Sequence, residues 1–582
     1  MNQPLNHVQG QALAVLKVVA TNSPSLLKVL KWLLVLVSLT GTAVLRRLLV
    51  IWFKAWRSPL RALPGPKSKS WFLGNFDLRF DPENALPHEQ WISEYGTTFS
   101  YAGLLNKPRI MTVDVRALNY ILKHGENYQK PEPLRYHLSK ILGEGLLLVE
   151  GRKHKQQRRV MNPAFTPAHI RSLSPIFLQK STELCDVLLR LCSSTQSTRV
   201  DALEWVSCAT LDITGLAGFG YHFNSMTSSS DELNVAFQTI FRGALKPTIM
   251  AMLQSFISPL RVIKMQRDKK FADARTVMKR IGARLVQERK LALSEGTSED
   301  DVEKDREYGK DLLSLLVKAN MTDPEGSSMS DEDVQDQIAT FIVAGHETSS
   351  AGIAWCLHCL SSNVEAQERL RGEIFHLGTN SPDVEQIKSL KYLDYVVREG
   401  LRLYPPIPST SRVAMKDDII PLSNGTGIRC VRKTWPDFNS LITYSMGSIR
   451  IAEGDGVFIP IFTLNTDKRV WGKDAQEFKP ERWENVPTGA QALPGVWGNI
   501  MSFLGGSRAC IGYHFATLEI KYIIFALIRN FEIAPALPAH MIQRKSGVVL
   551  RPCVKGEDDG RPQMPLLIQP VVLPPVLPPV CP

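Results

Sequence analysis

The stretch FLGGSRACIG, residues 503–512, sets a cysteine between glycines just ahead of an apolar run that reads as a helix. Cys510 at such a helix start meets free backbone N–H groups and the positive end of the helix dipole, and both favour a thiolate. A thiolate held there can ligate a metal ion; the plainer alternative is a small buried core residue. Gly506 and Gly512 let the backbone approach something flat. Arg508 can pair with a carboxylate on that flat object, and Phe503 can shield the sulfur. The spacing F-x-x-G-x-R-x-C-x-G is complete.

A second constellation is AGHETSS, residues 344–350. Ser330 and the acids at 331–333 open a helix that the pattern carries to about Leu360. Gly345 weakens its middle, and Thr348 can donate to the carbonyl of Ala344 four residues back, a bond that bends helices. Such a bend opens the helix locally, and Glu347 and Thr348 are a carboxyl and a hydroxyl able to relay protons. The third constellation is REGLRLYPP, residues 398–406, where Glu399 and Arg402 share a helix face. Alone, that pair reads as a surface ion pair of small value. CLHC, residues 356–359, lacks a second ligand pair at zinc-like spacing and reads as core packing.

The cysteine loop resembles the haem-binding signature of the cytochrome P-450 monooxygenases. The resemblance covers about residues 60–555, in the order hinge, H-x-x-x-R, A-G-H-E-T, E-x-x-R, P-E-R-W and cysteine loop. It implies haem b with Cys510 as the axial iron ligand, a thiolate that pushes electron density into the iron. AGHET is similar to the family's oxygen-activation motif, which makes Thr348 and Glu347 the catalytic pair. Glu399 and Arg402 then join Arg482 of FKPERW in a structural lock. His154, Arg158 and Arg412 contact the haem propionates by the same resemblance, with histidine standing where the family more often has tryptophan. The implied fold is mostly α, a triangular helical body with small β-sheets. Only 72 residues follow Cys510, and they hold no G-x-G-x-x-G unit, so electrons from NADPH must arrive through a separate NADPH–cytochrome P-450 reductase.

These motifs need a large body to position them, and 582 residues supply it. Apolar content of 44% and charged content of 22% are ordinary for a globular chain. The 9 cysteines, an odd number without regular spacing, argue against a full disulfide framework. The net charge of +12 is local: residues 1–76 hold 10 Lys/Arg and no acid, so 12 − 10 leaves about +2 for the rest, and nucleic acid is not implied. Long helical periodicity covers roughly 165–290, 331–375, 385–403 and 511–530; short β-like runs lie near 98–113, 410–460 and 529–570.

The basic amino terminus divides into a leading segment (1–25), an anchor (26–56) and a proline-rich hinge (57–70) before a haem-thiolate domain (71–560). Leu26 to Leu45 has about the length a spanning helix needs. Arg46, Arg47, Lys54, Arg57 and Arg61 follow it and favour a cytosolic carboxyl side. The reading is a single-pass anchor in the endoplasmic reticulum membrane, with Trp52 and Trp56 at the interface. Residues 561–582 read as a proline-rich extended tail. Residues 430–451 sit where the family has a short hairpin and are either a surface excursion or translated intron sequence. The 125–148 loop, segment 236–262 and the residues before Ala344 line the substrate pocket by resemblance. The function expected is hydroxylation or epoxidation of a lipophilic small molecule, a terpenoid or other secondary metabolite. The rivals are a haem-thiolate isomerase or dehydratase needing no reductase, and a non-catalytic haem-binding membrane protein.

Overall fold

The computed structural model of the protein describes residues 24–75, 85–192, 197–228, 231–236, 258–263, 265–294, 311–321, 329–423, 447–557 and 561–571, with residues 239, 250, 254 and 255. The chain divides into two units, one taking in the residues up to Arg57 together with 249–263, the other the remainder.

In the first unit, Pro24–Arg57 is a single 34-residue helix, α1. Large apolar side chains along it, among them Trp32, Leu34, Leu36 and Leu39, are exposed. Thr42 Oγ donates to the carbonyl of Ser38 at 2.9 Å, and the Arg57 guanidinium lies 5.3 Å from the Phe53 ring centroid. A spanning helix over 26–45 was the expectation; among the described residues, no helix is long and apolar enough to cross a membrane. The helix runs on through Arg46 and Arg47, so the interfacial stretch around Trp52 continues it.

The second unit is built on helices α2 (Val115–Lys123), α3 (Gly151–Met161), α4 (Ser174–Leu191), α5 (Ala202–Phe219), α6 (Gln266–Ser294), α7 (Asp331–Ser361), α8 (Lys391–Leu403) and α9 (Tyr513–Asn530). The main sheet has strand order β1 (Thr98–Ala102), β2 (Pro108–Thr112), β8 (Gly456–Ile459), β5 (Thr410–Ala414), β3 (Tyr128–Gln129). Three smaller sheets pair β4 (Thr198–Asp201), β12 (Pro565–Pro570) and β9 (Phe531–Pro535); β6 (Asp418–Pro421) and β7 (Ser448–Ile451); and β10 (Ile542–Ser546) and β11 (Leu550–Val554). The mostly helical α+β architecture expected from periodicity is therefore observed.

α7 starts where its residue types place it. Ser330 Oγ accepts the N–H of Asp333 at 3.1 Å, and Asp331, Glu332 and Asp333 meet the positive dipole end. From Ser349 to Ser361 the helix is buried all round, which explains its lack of a polar face. Gly345 has a packing reason as well: a Cβ there would lie 3.1 Å from the Thr214 side chain, so its absence lets α5 come close. Cys356 and Cys359 lie in the core, as the spacing of CLHC indicated.

The proline-rich stretch after Arg57 is packed down: Leu60 is fully buried, Ser58 Oγ donates to Asp455 at 2.8 Å, and Ser100 N donates to the carbonyl of Pro64 at 2.9 Å. Two other expectations change. The proline-rich tail begins later than Arg561, because Leu566–Ile568 pair with strands on both sides and the flanking prolines close the strand's ends. Residues 572–582 of that tail lie outside the described residues. The suspected excursion is shorter than 430–451: Ser448–Ile451 pair with Asp418–Pro421, and Leu422 N donates to the carbonyl of Gly447 at 2.7 Å. The rest of it, 430–446, and the preceding residues 424–429 lie outside the described residues. Because its two ends meet in a closed hairpin, and loop length costs little entropy, replacing 424–446 by a two-residue turn should leave a cooperative thermal transition within about 2 °C of the parent. Loss of that transition in calorimetry would make the excursion part of the core.

Candidate functional site

The loop before α9 is shaped by its backbone. Gly506 has φ +69, and a Cβ there would lie 2.2 Å from the Leu122 carbonyl oxygen; one on Gly505 would lie 1.7 Å from that of Pro494. Gly506 therefore lets the loop approach the Leu122 backbone closely, a packing reason beside the flat partner expected for it. Gly512 is not sterically required by the protein, since a Cβ would make ordinary contact with Phe165 at 3.6 Å. Leu504 adopts φ 55, ψ −169, a conformation that stores strain outside glycine. The Phe503 ring packs on Trp497 and Tyr513, and its carbonyl accepts the N–H of Cys510 at 2.9 Å.

Cys510 is solvent-accessible, yet it is densely surrounded by protein. That burial pushes its thiol up, against the N–H of Gly512 and the Arg158 guanidinium, which pull it down. The favourable groups expected at a helix start are present, but desolvation outweighs them in the protein alone.

Cations converge on this loop. Arg158 Nη1 donates to the carbonyl of Ala509 at 2.7 Å, and Arg508 Nη1 to that of Val149 at 2.8 Å. Burial lowers Arg508 and Arg412, each to about 10. His154 is lowered to about 4 by burial, then by Lys130 and Arg158, so it is neutral at pH 7. The motifs did not disclose Lys130 and Arg135. Lys130 donates to the carbonyl of Leu147 at 2.7 Å, and its amine is held well below its ordinary value by burial and by Arg508, Arg412 and Arg135. No local pattern marks it; the chain brings it in from the loop expected to line the pocket.

One expectation for Arg508 is altered: its guanidinium is engaged by the carboxylate of Glu150, a protein group. The buried Nη2 of Arg412 and Nε of Arg135 nonetheless find no hydrogen-bond acceptor. Unmatched buried guanidinium donors beside four other basic side chains are costly, and they suit an acceptor-rich anionic partner. The two carboxylates of haem fit that description, and the Cys510 sulfur fits its iron.

α7 supplies the second constellation. Thr348 Oγ donates to the carbonyl of Ala344 at 2.6 Å, the bond its spacing allowed. Glu347 pairs with Arg551, and its other oxygen lies 3.5 Å from His346 Nε2. Behind them stands Glu519 on α9, fully buried, with neither carboxyl oxygen in a well-formed hydrogen bond; the Ser349 hydroxyl faces it. Burial raises its pKa to about 8. A carboxyl whose folded pKa is raised contributes stability below its ordinary value of 4.5 and loses it as pH climbs toward 8. Glu519→Gln, which has no charge to desolvate, should therefore gain on the parent progressively from pH 5 to 8, by up to ~3 kcal/mol. Equal denaturant midpoints for the two proteins across that range would contradict the assignment.

The third constellation comes together completely. Glu399 Oε2 accepts Arg402 Nε at 2.8 Å and Trp483 Nε1 at 3.2 Å, and Oε1 accepts Arg402 Nη2 at 2.7 Å, Arg482 Nε at 3.2 Å and Lys479 N at 3.1 Å. The sequence reading missed Asp474, which takes Arg482 Nη1 at 2.6 Å and is lowered to about 2 by that bond. Asp474, one of two acids just before FKPERW, carried no signal of its own.

The cytochrome P450 family model matches residues 63–422 and 442–554, skipping a stretch that overlaps the excursion. The chain is 47% identical over 519 residues to cytochrome P450 monooxygenase 205 of Postia placenta, covering 88% of this chain and 93% of that one. It is 31% identical to cytochrome P450 monooxygenase claO of Ampulloclitocybe clavipes, with the same coverages. It is 32% identical to a ganoderic acid synthetase of Ganoderma lucidum, over 92% of this chain and 98% of that one.

Proposed function

The chain belongs to the cytochrome P450 family and is a monooxygenase by that membership, and from that premise we propose that it hydroxylates or epoxidises a lipophilic small molecule, a terpenoid or related secondary metabolite. The observation that carries the site assignment is the set of basic side chains around the Cys510 loop, two of them with unmatched buried donors. Cys510 would hold the iron, while Arg412, Arg158, Arg508 and His154, with Lys130 and Arg135, would hold the haem carboxylates. Haem bound there supplies the capacity to activate O₂ for insertion of one oxygen atom into a C–H or C=C bond.

The chain's own residues perform the rest. Thr348, bonded to the carbonyl of Ala344, holds its hydroxyl at a fixed point on α7. Glu347 delivers protons to that hydroxyl. The buried stretch of α7 beyond it excludes water from the core side. The lock at Glu399 keeps α8 against the segment 475–483, which sets the frame on which the cysteine loop rests.

Electrons come from NADPH through a separate flavoprotein reductase. Helix α1, with exposed tryptophan and leucine side chains and basic residues at its carboxyl end, supports attachment to the endoplasmic reticulum membrane with the catalytic body on the cytosolic side. The secondary-metabolite reading is supported by a relative named for ganoderic acid synthesis, and the terpenoid class is carried over from the likeness to fungal microsomal members.

Microsomes carrying the full chain and a reductase, supplied with NADPH, oxygen-18 gas and a panel of triterpenoids and sesquiterpenoids, should yield a product heavier by one labelled oxygen. Conversion that proceeds without NADPH would favour the isomerase reading and sink this one.

A further inference from the structure

Glu347 is gripped from outside its own helix. Its Oε2 pairs with Nη2 of Arg551 on β11, and both side chains are largely buried. Arg551 does not reach α7 by chance of a flexible loop. Its neighbour Leu550 is fixed twice through the backbone: Leu550 N donates to the carbonyl of Pro406 at 2.8 Å, and the Leu550 carbonyl accepts Trp355 Nε1 at 3.1 Å. Trp355 is itself stacked on Tyr404, 4.2 Å between ring centroids and 4° between planes. β11 is also held in register with β10, Arg551 opposite Lys545.

The other oxygen of Glu347 faces a different group. His346 Nδ1 lies 3.0 Å from the carbonyl of Ile342, an atom that only accepts, so that nitrogen carries the hydrogen. His346 Nε2 is thereby turned to Glu347 Oε1 at 3.5 Å. A carboxyl held at one oxygen is restrained from rotating, and its second oxygen lies against the His346 imidazole rather than in an ion pair with a second arginine.

We propose that Arg551 is a positioning residue for Glu347, fixing Oε2 so that Oε1 serves proton delivery, and tying the β10–β11 hairpin to the turn of α7 that carries Thr348. This rests on the reading of Glu347 as the proton-delivering group. Without that grip, delivery is late. NADPH and O₂ then end as peroxide: NADPH + H⁺ + O₂ gives NADP⁺ + H₂O₂, with two electrons and two protons placed on oxygen and the substrate left unoxidised.

The test uses the full chain with its reductase and four variants: Arg551→Met, Arg551→Lys, Glu347→Gln and the Met/Gln double. Arg551→Met should raise peroxide formed per NADPH about fivefold, and lysine should restore part of the loss. The double variant should be no worse than Glu347→Gln, because both changes act on one carboxyl. Amide exchange at 550–554 reads the pairing without turnover: it should quicken in each single variant and no further in the double. If Glu347→Gln releases peroxide but Arg551→Met behaves as the parent, this proposal falls and the reading of Glu347 stands. If Glu347→Gln stays coupled, both fall. Additive uncoupling in the double, or unchanged exchange in Arg551→Met, also overturns the proposal.

Discussion

Cys510→Ser should abolish the thiolate-type Soret band of the reduced carbon-monoxide complex. O₂-dependent turnover should fall by about a thousandfold, ~4 kcal/mol of barrier. Serine keeps the size and the backbone bond to the Phe503 carbonyl, so the loop should persist. What goes is the sulfur whose electron density the iron requires. In the protein alone burial pushes that thiol up, against the N–H of Gly512 and the Arg158 guanidinium; a metal ion bound there would favour the thiolate, so iron binding should release a proton. Cys356 provides the contrast. It is fully buried with its thiol pushed up to about 12, and it packs against Gly400. Cys356→Ala should lower the thermal midpoint by a few degrees, consistent with a small cavity, and leave the band in place. A retained band in Cys510→Ser would remove the site assignment altogether.

Arg402→Ala should cost about 3–5 kcal/mol, the usual cost of breaking a buried charge pair. That is a large share of the roughly 5–15 kcal/mol that holds a domain folded. Arg402 and Glu399 are both fully buried. Removing the guanidinium leaves Glu399 facing Arg482 alone as a charge partner in this cluster, and strips donors from the carbonyls of Asn465, Ala475 and Glu477. Arg402→Lys would keep the charge, but one ammonium cannot serve a carboxylate and three carbonyls in that planar arrangement. It should recover less than half of the loss. Acid will probe the same cluster: Asp474, lowered to about 2, contributes stability above its ordinary value of 3.8 and loses it as pH falls toward 2. A chemical-denaturation midpoint for Arg402→Ala within experimental error of the parent would show that the three charges are dispensable.

Much of the site was legible because its parts are local. The cap at Ser330 and the bond from Thr348 to Ala344 need only residues within one turn of each other. The pairing of Glu399 with Arg402 follows from helix geometry, and the mostly helical class followed from apolar periodicity. The resemblance joined Arg482 to them across 80 residues, which spacing alone cannot do.

The rest depended on contacts between distant segments. Pro565–Pro570 has the composition of an extended tail, and it becomes a central strand because β4 and β9 satisfy its backbone from both sides. The hinge has the composition of a linker, and it is docked because Leu60 finds a fully buried site. Lys130, Arg135, Glu519 and Arg551 belong to no short pattern; only packing sets two of them beside Arg412 and the others beside Ser349 and Glu347. The amino-acid sequence by itself thus determined the thiolate ligand candidate, the caps and the helix-borne pairs, because those are set by chemistry and spacing within a turn. Tertiary structure alone decided which charges are desolvated, which donors lack acceptors and which arginine holds Glu347, because burial and long-range pairing arise only when segments hundreds of residues apart are brought together.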